Sequence, residues 1–253
     1  MNLKQKADLL LLFDIDGTLI STNGEAGKLM LKALEEEIQR PVPYDLSVFI
    51  GSTDRYILRQ FIVRHNGNIA DLKKVIDRVM QRYLSLLEKK FKEPGISRVL
   101  PGVDQLLDLL SEHKVFSMGL LTGNVKKGAY IKLQNAGLDS YFPVGAFGDD
   151  NMDRNKLAAV AIERAQNFYR KKFLPENVWI IGDSPKDILC AKTNGLKALA
   201  VASGWHSMEE LSRHQPDVLL PDLGDTRRVV KIFTDEFKSE NREGRRYSVP
   251  PHK

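Results

Sequence analysis

Apolar and polar positions change their spacing along the chain, and from about residue 95 onward two spacings alternate. Short apolar runs predict strands at Ser117–Leu121, Val144–Phe147, Val178–Ile181, Ala198–Val201 and Val218–Leu220. Apolar residues three and four positions apart predict helices over Val103–Leu110, Val125–Asn135, Lys156–Ala165, Pro185–Thr193 and Asp225–Phe237. Strands that alternate with helices predict βαβ units around a parallel sheet, with Leu9–Phe13 as its first and central strand.

Residues 21 to about 95 have a different pattern, because three helical periods follow one another with no convincing strand. The three apolar faces consist of Ala26, Leu29, Ala33, Leu34 and Ile38; of Ile57, Leu58, Phe61 and Ile62; and of Leu72, Val75, Ile76, Val79, Met80, Tyr83 and Leu87. This pattern predicts an all-helical insert after the first strand, with Lys92–Gly102 as its return hinge. We therefore predict a discontinuous α/β core over residues 1–20 and 96–237, a helical domain over 21–95 and a disordered basic tail over 238–253.

Composition and charge limit the classes of partner. The 253 residues are 42% hydrophobic and 28% charged, which is enough for an ordinary globular core. The formal net charge is +5, but residues 238–253 hold five basic and two acidic residues, which leaves the remainder near +2. Because no basic stripe with interleaved aromatic residues occurs, we expect no nucleic-acid partner for the folded part.

The single cysteine, Cys190, excludes an intrachain disulfide and a cysteine-based metal cluster. Its apolar helical surroundings favour a small core side chain, and the low cysteine content suits a reducing compartment. The apolar run after the N-terminus is too short for a signal peptide, and no run approaches the ~18 residues of a membrane span. We expect a cytoplasmic protein without a membrane partner.

Carboxylates follow two predicted strands at the edge where parallel sheets bind ligands. Asp14 and Asp16 come directly after the first strand, and Asp183 and Asp187 follow the fourth. Because clustered charges away from water repel one another, such a group needs a cation. Oxygen ligands without neighbouring histidine or cysteine favour Mg²⁺, which usually meets a substrate phosphate.

Other strand ends carry groups that suit a phosphate. Thr122, Gly123 and Asn124 offer a hydroxyl and backbone N–H groups at a loop that leads into a helix N-terminus. Either Arg154 or Lys156 offers a fixed positive charge for the transferring group. These residues predict a phosphate-binding site at the same edge of the sheet.

The pair Asp14 and Asp16 suits covalent phosphate transfer. Phosphate monoesters hydrolyse very slowly without a catalyst, and a covalent route divides the reaction into two easier steps. Asp14 would attack phosphorus and form an aspartyl-phosphate. Asp16 would protonate the leaving oxygen and then activate the water.

Three segments resemble motifs of the haloacid dehalogenase-like hydrolase superfamily. FDIDGTL resembles the first motif, LLTGN the second and IGDSPKDI the fourth, in the right order over residues 9 to 188. Ser203–Trp205 and Pro216–Asp225 also resemble the end of phosphoglycolate phosphatase-type members. The resemblance implies an α/β fold with a doubly wound parallel sheet, a Rossmann-like core, and a smaller all-helical cap domain inserted after the first strand.

The resemblance also implies a role for each matching residue. Asp14 matches the nucleophile and a metal ligand, and Asp16 matches the acid and base whose backbone carbonyl binds the metal. Thr122 matches the phosphate-binding hydroxyl. Asp183 matches a metal ligand, and Asp187 matches the second acidic position, which binds metal directly or through water.

Two positively charged positions each have an alternative interpretation. The third motif is usually a lysine, and Arg154 before a helix resembles some phosphoglycolate phosphatase-like members, with Lys156 as the alternative. In the helical insert, Arg55 follows Gly51–Asp54 at a helix start and is a candidate substrate contact. The alternative is a plain helix start with Ser52 or Thr53 as N-cap.

These residues predict a Mg²⁺-dependent phosphatase for a small phosphorylated metabolite. A phosphomutase of the β-phosphoglucomutase type shares the same acids and is the alternative enzyme. A phospho-receiver or another non-catalytic binding protein is the alternative from a different class. A receiver would place its acceptor aspartate after a later strand, without an inserted domain, so the motif order disfavours it. The identity of the substrate and the oligomeric state stay open.

Overall fold

The computed structural model describes residues 8–66 and 71–243, and this part of the chain forms eight strands and ten α-helices. The strands are β1 Leu9–Phe13, β2 Ile20–Ser21, β3 Arg98–Val99, β4 Phe116–Leu121, β5 Gly145–Ala146, β6 Val178–Gly182, β7 Lys197–Val201 and β8 Val218–Leu220. The helices are α1 Glu25–Ile38, α2 Leu46–Phe49, α3 Asp54–Asn66, α4 Leu72–Lys90, α5 Val103–Ser111, α6 Lys126–Ala136, α7 Leu157–Tyr169, α8 Pro185–Thr193, α9 Met208–Ser212 and α10 Thr226–Glu243.

Six strands form one parallel sheet in the order β5-β4-β1-β6-β7-β8. The first strand of the chain is therefore central, as predicted, because the connections extend the sheet first to one side of it and then to the other. Phe13 at the end of β1 pairs in register with Leu120 of β4 and Ile181 of β6. The chain segments that leave these three strands therefore start at one edge of the sheet, beside one another.

The alternation of side chains along β1 separates two apolar layers. Leu9, Leu11 and Phe13 belong to the cluster that α5, α6 and α10 cover. Leu10 and Leu12 belong to the cluster on the opposite face, which α7, α8 and α9 cover. Because successive strand residues point to opposite faces, a strand covered on both sides must be apolar throughout. The predicted α/β class with a doubly wound sheet is confirmed.

The helices α1, α3 and α4 enclose a third apolar cluster of their own, which includes Leu34, Phe61 and Tyr83. The short α2 was not predicted, because a single turn is too short to show a helical period. Val125, directly before α6, joins this third cluster. We interpret residues 21–95 as the helical domain that the pattern predicts, with Val125 as one of its apolar contacts to the core.

The two passages between these regions pair with each other. Ile20 pairs with Val99 and Ser21 with Arg98 in an antiparallel ribbon. The ribbon was not predicted, because two residues in each strand carry no readable alternation. Residues Lys92–Gly102, the predicted return hinge, thus include a short strand that ties the exit of the helical region to its entrance.

Several element ends differ from the prediction. The helix α9 was missed, although Ser207 and Glu210 form a capping box, with each side chain bonded to the other residue's backbone N–H. The helix α10 continues to Glu243, six residues beyond the predicted end at Phe237. Residues 244–253 of the predicted tail lie outside the described residues. Every helix within 8–66 and 71–243 falls short of the combination of length and apolarity that crossing a bilayer demands.

Candidate active site

A cavity of about 260 Å³ lies at the carboxyl edge of the sheet, between the core and the helical region. Asp14 follows β1, Thr122 follows β4 and Asp183 follows β6, and all three line this cavity. They meet because β1 is bonded on one side to β4 and on the other to β6. Residues more than a hundred positions apart are thus brought to one place by strand order.

Three aspartates form a compact acidic group. Asp14, Asp183 and Asp187 are buried, and each offers a carboxylate oxygen that lies within 4.8 Å of the others. Burial raises the pKa of Asp14 to about 6, with Arg154 opposing that rise and Asp187 adding to it. Burial, with the nearby charges of Asp14 and Asp187, raises the pKa of Asp183 well above its usual value. The three carboxylates are therefore costly as bare anions, and a cation would relieve that cost.

Arg154 supplies part of the positive charge. Its Nη2 lies 3.3 Å from an oxygen of Asp14, is bonded to Asp187 and donates to the backbone carbonyl of Leu121 at 3.3 Å. The guanidinium is buried, while Lys156, two residues further along the same short turn, is exposed. Of the two cations that the sequence leaves open, the geometry brings Arg154 to the acidic group. Its buried Nε has no hydrogen-bond partner.

The carboxylate of Asp187 is already engaged at the start of α8. Its Oδ2 accepts hydrogen bonds from the backbone N–H of Ser184 at 3.1 Å and from the Ser184 hydroxyl at 2.6 Å, in a reciprocal capping box. Its Oδ1 bonds to Arg154. Asp187 therefore caps α8 and belongs to the acidic group at the same time. Three hydrogen bonds already occupy most of the lone pairs of its carboxylate, which leaves few for direct contact with a metal ion.

The carboxylate of Asp183 packs against two glycines, Gly17 and Gly204, and a side chain at either position would collide with it. A Cβ on Gly17 would come within 2.4 Å of an oxygen of Asp183, and one on Gly204 would come within 1.7 Å. Gly17 also has a φ of +86°, which favours glycine in its own right. Thr18 donates a hydrogen bond to Asp183 at 3.3 Å. The glycine of the DIDGT segment thus admits a carboxylate from a distant strand.

Asp16 also lines the cavity, in a network that the sequence did not predict in full. Its Oδ2 accepts hydrogen bonds from Lys132 Nζ at 2.7 Å and from Asn124 Nδ2 at 2.8 Å. Asn124 also donates to the Thr122 hydroxyl at 2.8 Å and accepts from Lys132 at 2.6 Å. The predicted residues Asp16, Thr122 and Asn124 are thus joined, and Lys132 is the unpredicted member that joins two of them.

Lys132 was missed, although the sequence contains a signal for it. Lys132 lies three positions after Ala129 and seven after Val125, so all three share one face of α6. This is the face that also buries Leu133. Its side chain is only 4% exposed. A lysine on the apolar stripe of a helix is unusual unless a negative group meets it there.

The segment before α3 docks across the phosphate-loop candidates. The backbone N–H of Asp54 donates to the carbonyl of Gly123 at 2.8 Å, and Asp54 Oδ2 accepts from the N–H of Val125 at 2.8 Å. A Cβ on Gly123 would lie 2.0 Å from the carbonyl oxygen of Ser52, so glycine is required for this approach. Burial raises the pKa of Asp54 to about 7, although the charge of Lys132 opposes this. Asp54 was not predicted as part of the site.

Arg55, the candidate substrate contact, does not reach the cavity. Its Nη1 pairs with Asp77 of α4 at 2.8 Å, and the residue is not part of the cavity lining. Because α3 turns by about 100° per residue, the neighbour of inward-facing Asp54 points along the helix surface instead. The helix start that the sequence left as the alternative describes Arg55 better.

The acidic group suits a metal ion by its donor chemistry. Its ligand atoms are carboxylate oxygens, without sulfur or imidazole nitrogen. Asp14 and Asp183 each approach the centre from a strand end, whereas Asp187 is held by its cap and by Arg154. The described residues therefore fit a cation that prefers oxygen and keeps part of its water, more directly through Asp14 and Asp183 than through Asp187.

Comparison with known proteins agrees with this geometry. The sequence pattern that defines the family described as "Haloacid dehalogenase-like hydrolase" matches residues 11–201. A phosphoglycolate phosphatase of Agrobacterium fabrum is 26% identical over 220 residues, which are 85% of this chain and 88% of that protein. A pyrophosphatase, PpaX, of Anoxybacillus flavithermus is 26% identical over 227 residues, 88% of this chain and 96% of that protein.

Among solved structures, a haloacid dehalogenase-like family hydrolase of Streptococcus pneumoniae superposes with a TM-score of 0.65. The superposition covers 90% of this chain and 100% of that one at 18% identity, so it shows the fold alone. The phosphoglycolate phosphatase and the pyrophosphatase are named for different substrates, although both are 26% identical to this chain. Similarity to named proteins therefore does not choose a substrate for this chain.

Proposed function

The chain belongs to the haloacid dehalogenase-like hydrolase family and is a phosphatase of it, and from that premise we propose that it hydrolyses a small phosphorylated metabolite with Mg²⁺ through an aspartyl-phosphate on Asp14. The observation that carries the proposal is the meeting of Asp14, Asp183 and Arg154 within one buried site. A nucleophilic carboxylate, a second oxygen ligand and a fixed cation are what transfer of a phosphoryl group to a carboxylate requires.

Mg²⁺ is the metal that we propose, because the donor atoms are carboxylate oxygens and the substrate brings phosphate oxygens. Asp14 and Asp183 would hold it, with the backbone carbonyl of Asp16, and Asp187 would act through water. When bound, Mg²⁺ would offset the negative charge of the phosphate and of the carboxylates around it.

The first step would belong to Asp14 and Asp16. An oxygen of Asp14 attacks phosphorus, and the bond from phosphorus to the leaving oxygen breaks. The leaving oxygen takes that electron pair together with a proton from Asp16. In the second step the Asp16 carboxylate takes a proton from water, the water oxygen attacks phosphorus, and the bond to Asp14 breaks. Inorganic phosphate leaves, and both aspartates return to their starting forms.

The remaining residues would hold the phosphate during both steps. The hydroxyl of Thr122 and the N–H groups of Gly123 and Asn124 belong to the loop that leads into α6, where the helix dipole favours an anion. The Asn124 N–H now donates to the Thr122 hydroxyl at 3.3 Å and would turn to the phosphate. Arg154 Nε is a buried donor without a partner, and a phosphate oxygen would satisfy it. The cation beside Asp14 would thus contact the group that Asp14 attacks.

The variant Asp14→Asn tests the proposal. It keeps the side-chain shape but removes the nucleophile, and we expect phosphate release from p-nitrophenyl phosphate with Mg²⁺ to fall by at least ~10³-fold. Release of inorganic phosphate, measured directly, also separates a phosphatase from a mutase.

Asp104→Asn is the matched control, because Asp104 is an exposed acid of α5 outside the cavity. We expect this control to retain full activity. Undiminished turnover by Asp14→Asn, in a protein that unfolds at the wild-type temperature, would contradict the covalent mechanism.

A further inference from the structure

The helical region contributes an apolar and aromatic wall to the cavity. The wall consists of Met30, Tyr44, Leu46, Phe49, Ile57 and Tyr83. Trp205, from the loop after β7, stands at the edge of the same cavity. Tyr44 is 45% exposed and Trp205 is 60% exposed, so both present aromatic surface to whatever enters.

Two of these rings already show a stacked arrangement. The centroids of Tyr44 and Phe49 lie 5.2 Å apart, with an angle of 13° between the ring planes. Phe49 in turn packs on Phe61 inside the helical region, at 5.5 Å between centroids. This chain of contacts fixes Phe49 and, through it, one face of Tyr44. A flat group that enters the cavity would meet rings that are already held in place.

The helical region contributes no positively charged side chain to the described lining of the cavity. Among the described residues that line the cavity, the cations are Lys132 and Arg154, and both belong to the core. Lys132 is bonded to Asp16, and Arg154 is paired with Asp14 and Asp187. Each cation is thus committed to carboxylates of the catalytic side.

Two carboxyls of the described lining lie near the wall, and neither offers a site for a second anion: burial raises the pKa of Asp54 to about 7, and Asp16 is paired with Lys132. Asp54 lines the cavity from the start of α3, and Asp16 lines it from the core. Arg55, one residue further along α3, is drawn away by Asp77. Lys186, behind the lining, donates to the Ser52 hydroxyl at 2.5 Å, and burial and the charge of Arg154 lower its pKa. A second carboxylate or phosphate on the substrate would therefore find no cation without a partner among the described lining residues.

We propose that the substrate is a phosphate monoester whose leaving group is uncharged and carries an aromatic or apolar ring. The inference rests on the proposed phosphatase function and adds the class of alcohol that is released. The phosphate lies at the sheet edge, and the ring lies against Tyr44, Phe49 and Trp205. Because the cavity of about 260 Å³ must also hold the phosphate, it suits a leaving group of roughly one ring.

A panel of matched esters tests the class of leaving group. Benzyl phosphate and 2-phosphoglycolate both release a primary alcohol, so they differ mainly in ring and charge. We expect kcat/KM for benzyl phosphate to exceed that for 2-phosphoglycolate and for inorganic pyrophosphate by about 10- to 100-fold. A preference for either anionic substrate would overturn the inference and leave the proposed function intact.

Binding without turnover gives an independent measurement. Benzylphosphonate and phosphonoacetate carry the same benzyl and carboxymethyl groups directly on phosphorus, through a P–C bond that is not hydrolysed. We expect benzylphosphonate to bind at least about tenfold more tightly by calorimetry in the presence of Mg²⁺. Equal affinities, or tighter binding of phosphonoacetate, would contradict the inference even if no ester were turned over. Failure of Asp14→Asn to lose activity would instead contradict the proposed function.

Variants of Tyr44 and Trp205, the exposed rings of the cavity, show whether this ring surface causes the preference for an aromatic leaving group. Trp205→Ala removes an exposed side chain, so the fold should tolerate it, and we expect the ratio of kcat/KM for benzyl phosphate over methyl phosphate to fall about tenfold. Phe168→Ala is the matched control, because Phe168 is 56% exposed and lies outside this cavity. An unchanged ratio in both Trp205→Ala and Tyr44→Ala would show that the ring surface does not select the substrate.

Discussion

The core side and the helical side of the cavity are built from different kinds of residue. On the core side, aspartates that follow adjacent strands pair with two buried cations: Lys132 with Asp16, and Arg154 with Asp14 and Asp187. On the helical side, aromatic and apolar residues cover the cavity, and the buried acid Asp54 bonds to the core backbone. Under the proposed function, the charge for the reaction and the surface that selects the substrate come from separate parts of the chain.

The two sides also differ in how they are held. Side chains of the core site are fixed by one another and by strand ends, so the loss of one charge leaves its partner buried and unpaired. The helical region has its own apolar cluster and meets the core through Val125 and through the segment before α3. A change on the core side should therefore alter the rate for every ester, whereas a change on the helical side should alter the choice among esters.

Among the substitutions on the core side considered below, we expect the largest effect on the rate for Asp16→Asn. The amide keeps the shape and can still accept a hydrogen bond from Lys132, but it cannot deliver a proton. We expect kcat for benzyl phosphate to fall by ~10³-fold, because general acid–base catalysis contributes about 10²- to 10⁴-fold.

Steady-state phosphate release measures the effect of Asp16→Asn, and calorimetry with benzylphosphonate is its control. The affinity should stay within about threefold of wild type. If affinity and rate fell together, Asp16 would act in binding rather than in proton transfer.

A smaller effect is expected for Lys132→Met, which removes the charge that holds Asp16. Asn124 alone would then bond to Asp16, and we expect kcat for benzyl phosphate to fall about 10- to 100-fold. The loss for p-nitrophenyl phosphate should be several times smaller, because nitrophenolate leaves without needing a proton. That dependence on the leaving group distinguishes positioning of Asp16 from a general loss of structure.

Lys127→Met is the matched control for Lys132→Met. Lys127 lies on the same helix but is exposed and paired with Glu88, so we expect no change for either ester. Equal losses for both esters in Lys132→Met would contradict a role in positioning the acid. Partial recovery in Lys132→Arg would support it, since the positive charge is retained.

The fold and much of the acidic group were predictable because they depend on local patterns. An apolar run followed by Asp14 and Asp16, and another followed by Asp183 and Asp187, mark strand ends directly in the sequence. A parallel sheet then brings such ends together whatever lies between them. The ribbon at Ile20–Ser21, in contrast, has no period long enough to be recognised.

Partners across long sequence separations could not be predicted in the same way. The sequence marks Lys132 as a charged residue on an apolar helix face, but it does not say that Asp16 meets it across 116 positions. It likewise places Arg55 and Asp54 side by side without showing which one faces the cavity. Helix rotation decides this, and rotation depends on how α3 packs against α4 and the core.

The smallest predicted effect concerns stability and comes from Asp54, where the two sides meet. Burial raises the pKa of this carboxyl from 3.8 to about 7, with Lys132 and the N–H of Val125 opposing the rise and Asp16 and Asp149 adding to it. A folded-state pKa above the unfolded one means that the folded protein holds the proton more tightly. The contribution of Asp54 to the free energy of unfolding is therefore full below about pH 4 and is lost as the pH rises through about 7.

Asp54→Asn removes this titration while its amide oxygen can still accept from Val125. The pKa of Asp54 differs by roughly three between the folded and the unfolded protein, and each pKa unit corresponds to about 1.4 kcal/mol. The contribution of Asp54 to the free energy of unfolding is therefore at most about 4 kcal/mol, and we expect about 2 kcal/mol after relaxation. Urea unfolding in EDTA at pH 5 and pH 8 measures it. The free energy of unfolding of Asp54→Asn minus that of wild type should rise by this amount between the two pH values. A constant difference, or one that falls, would mean that Lys132 stabilises Asp54 as an anion, and the contact between the two sides would then be an ion pair.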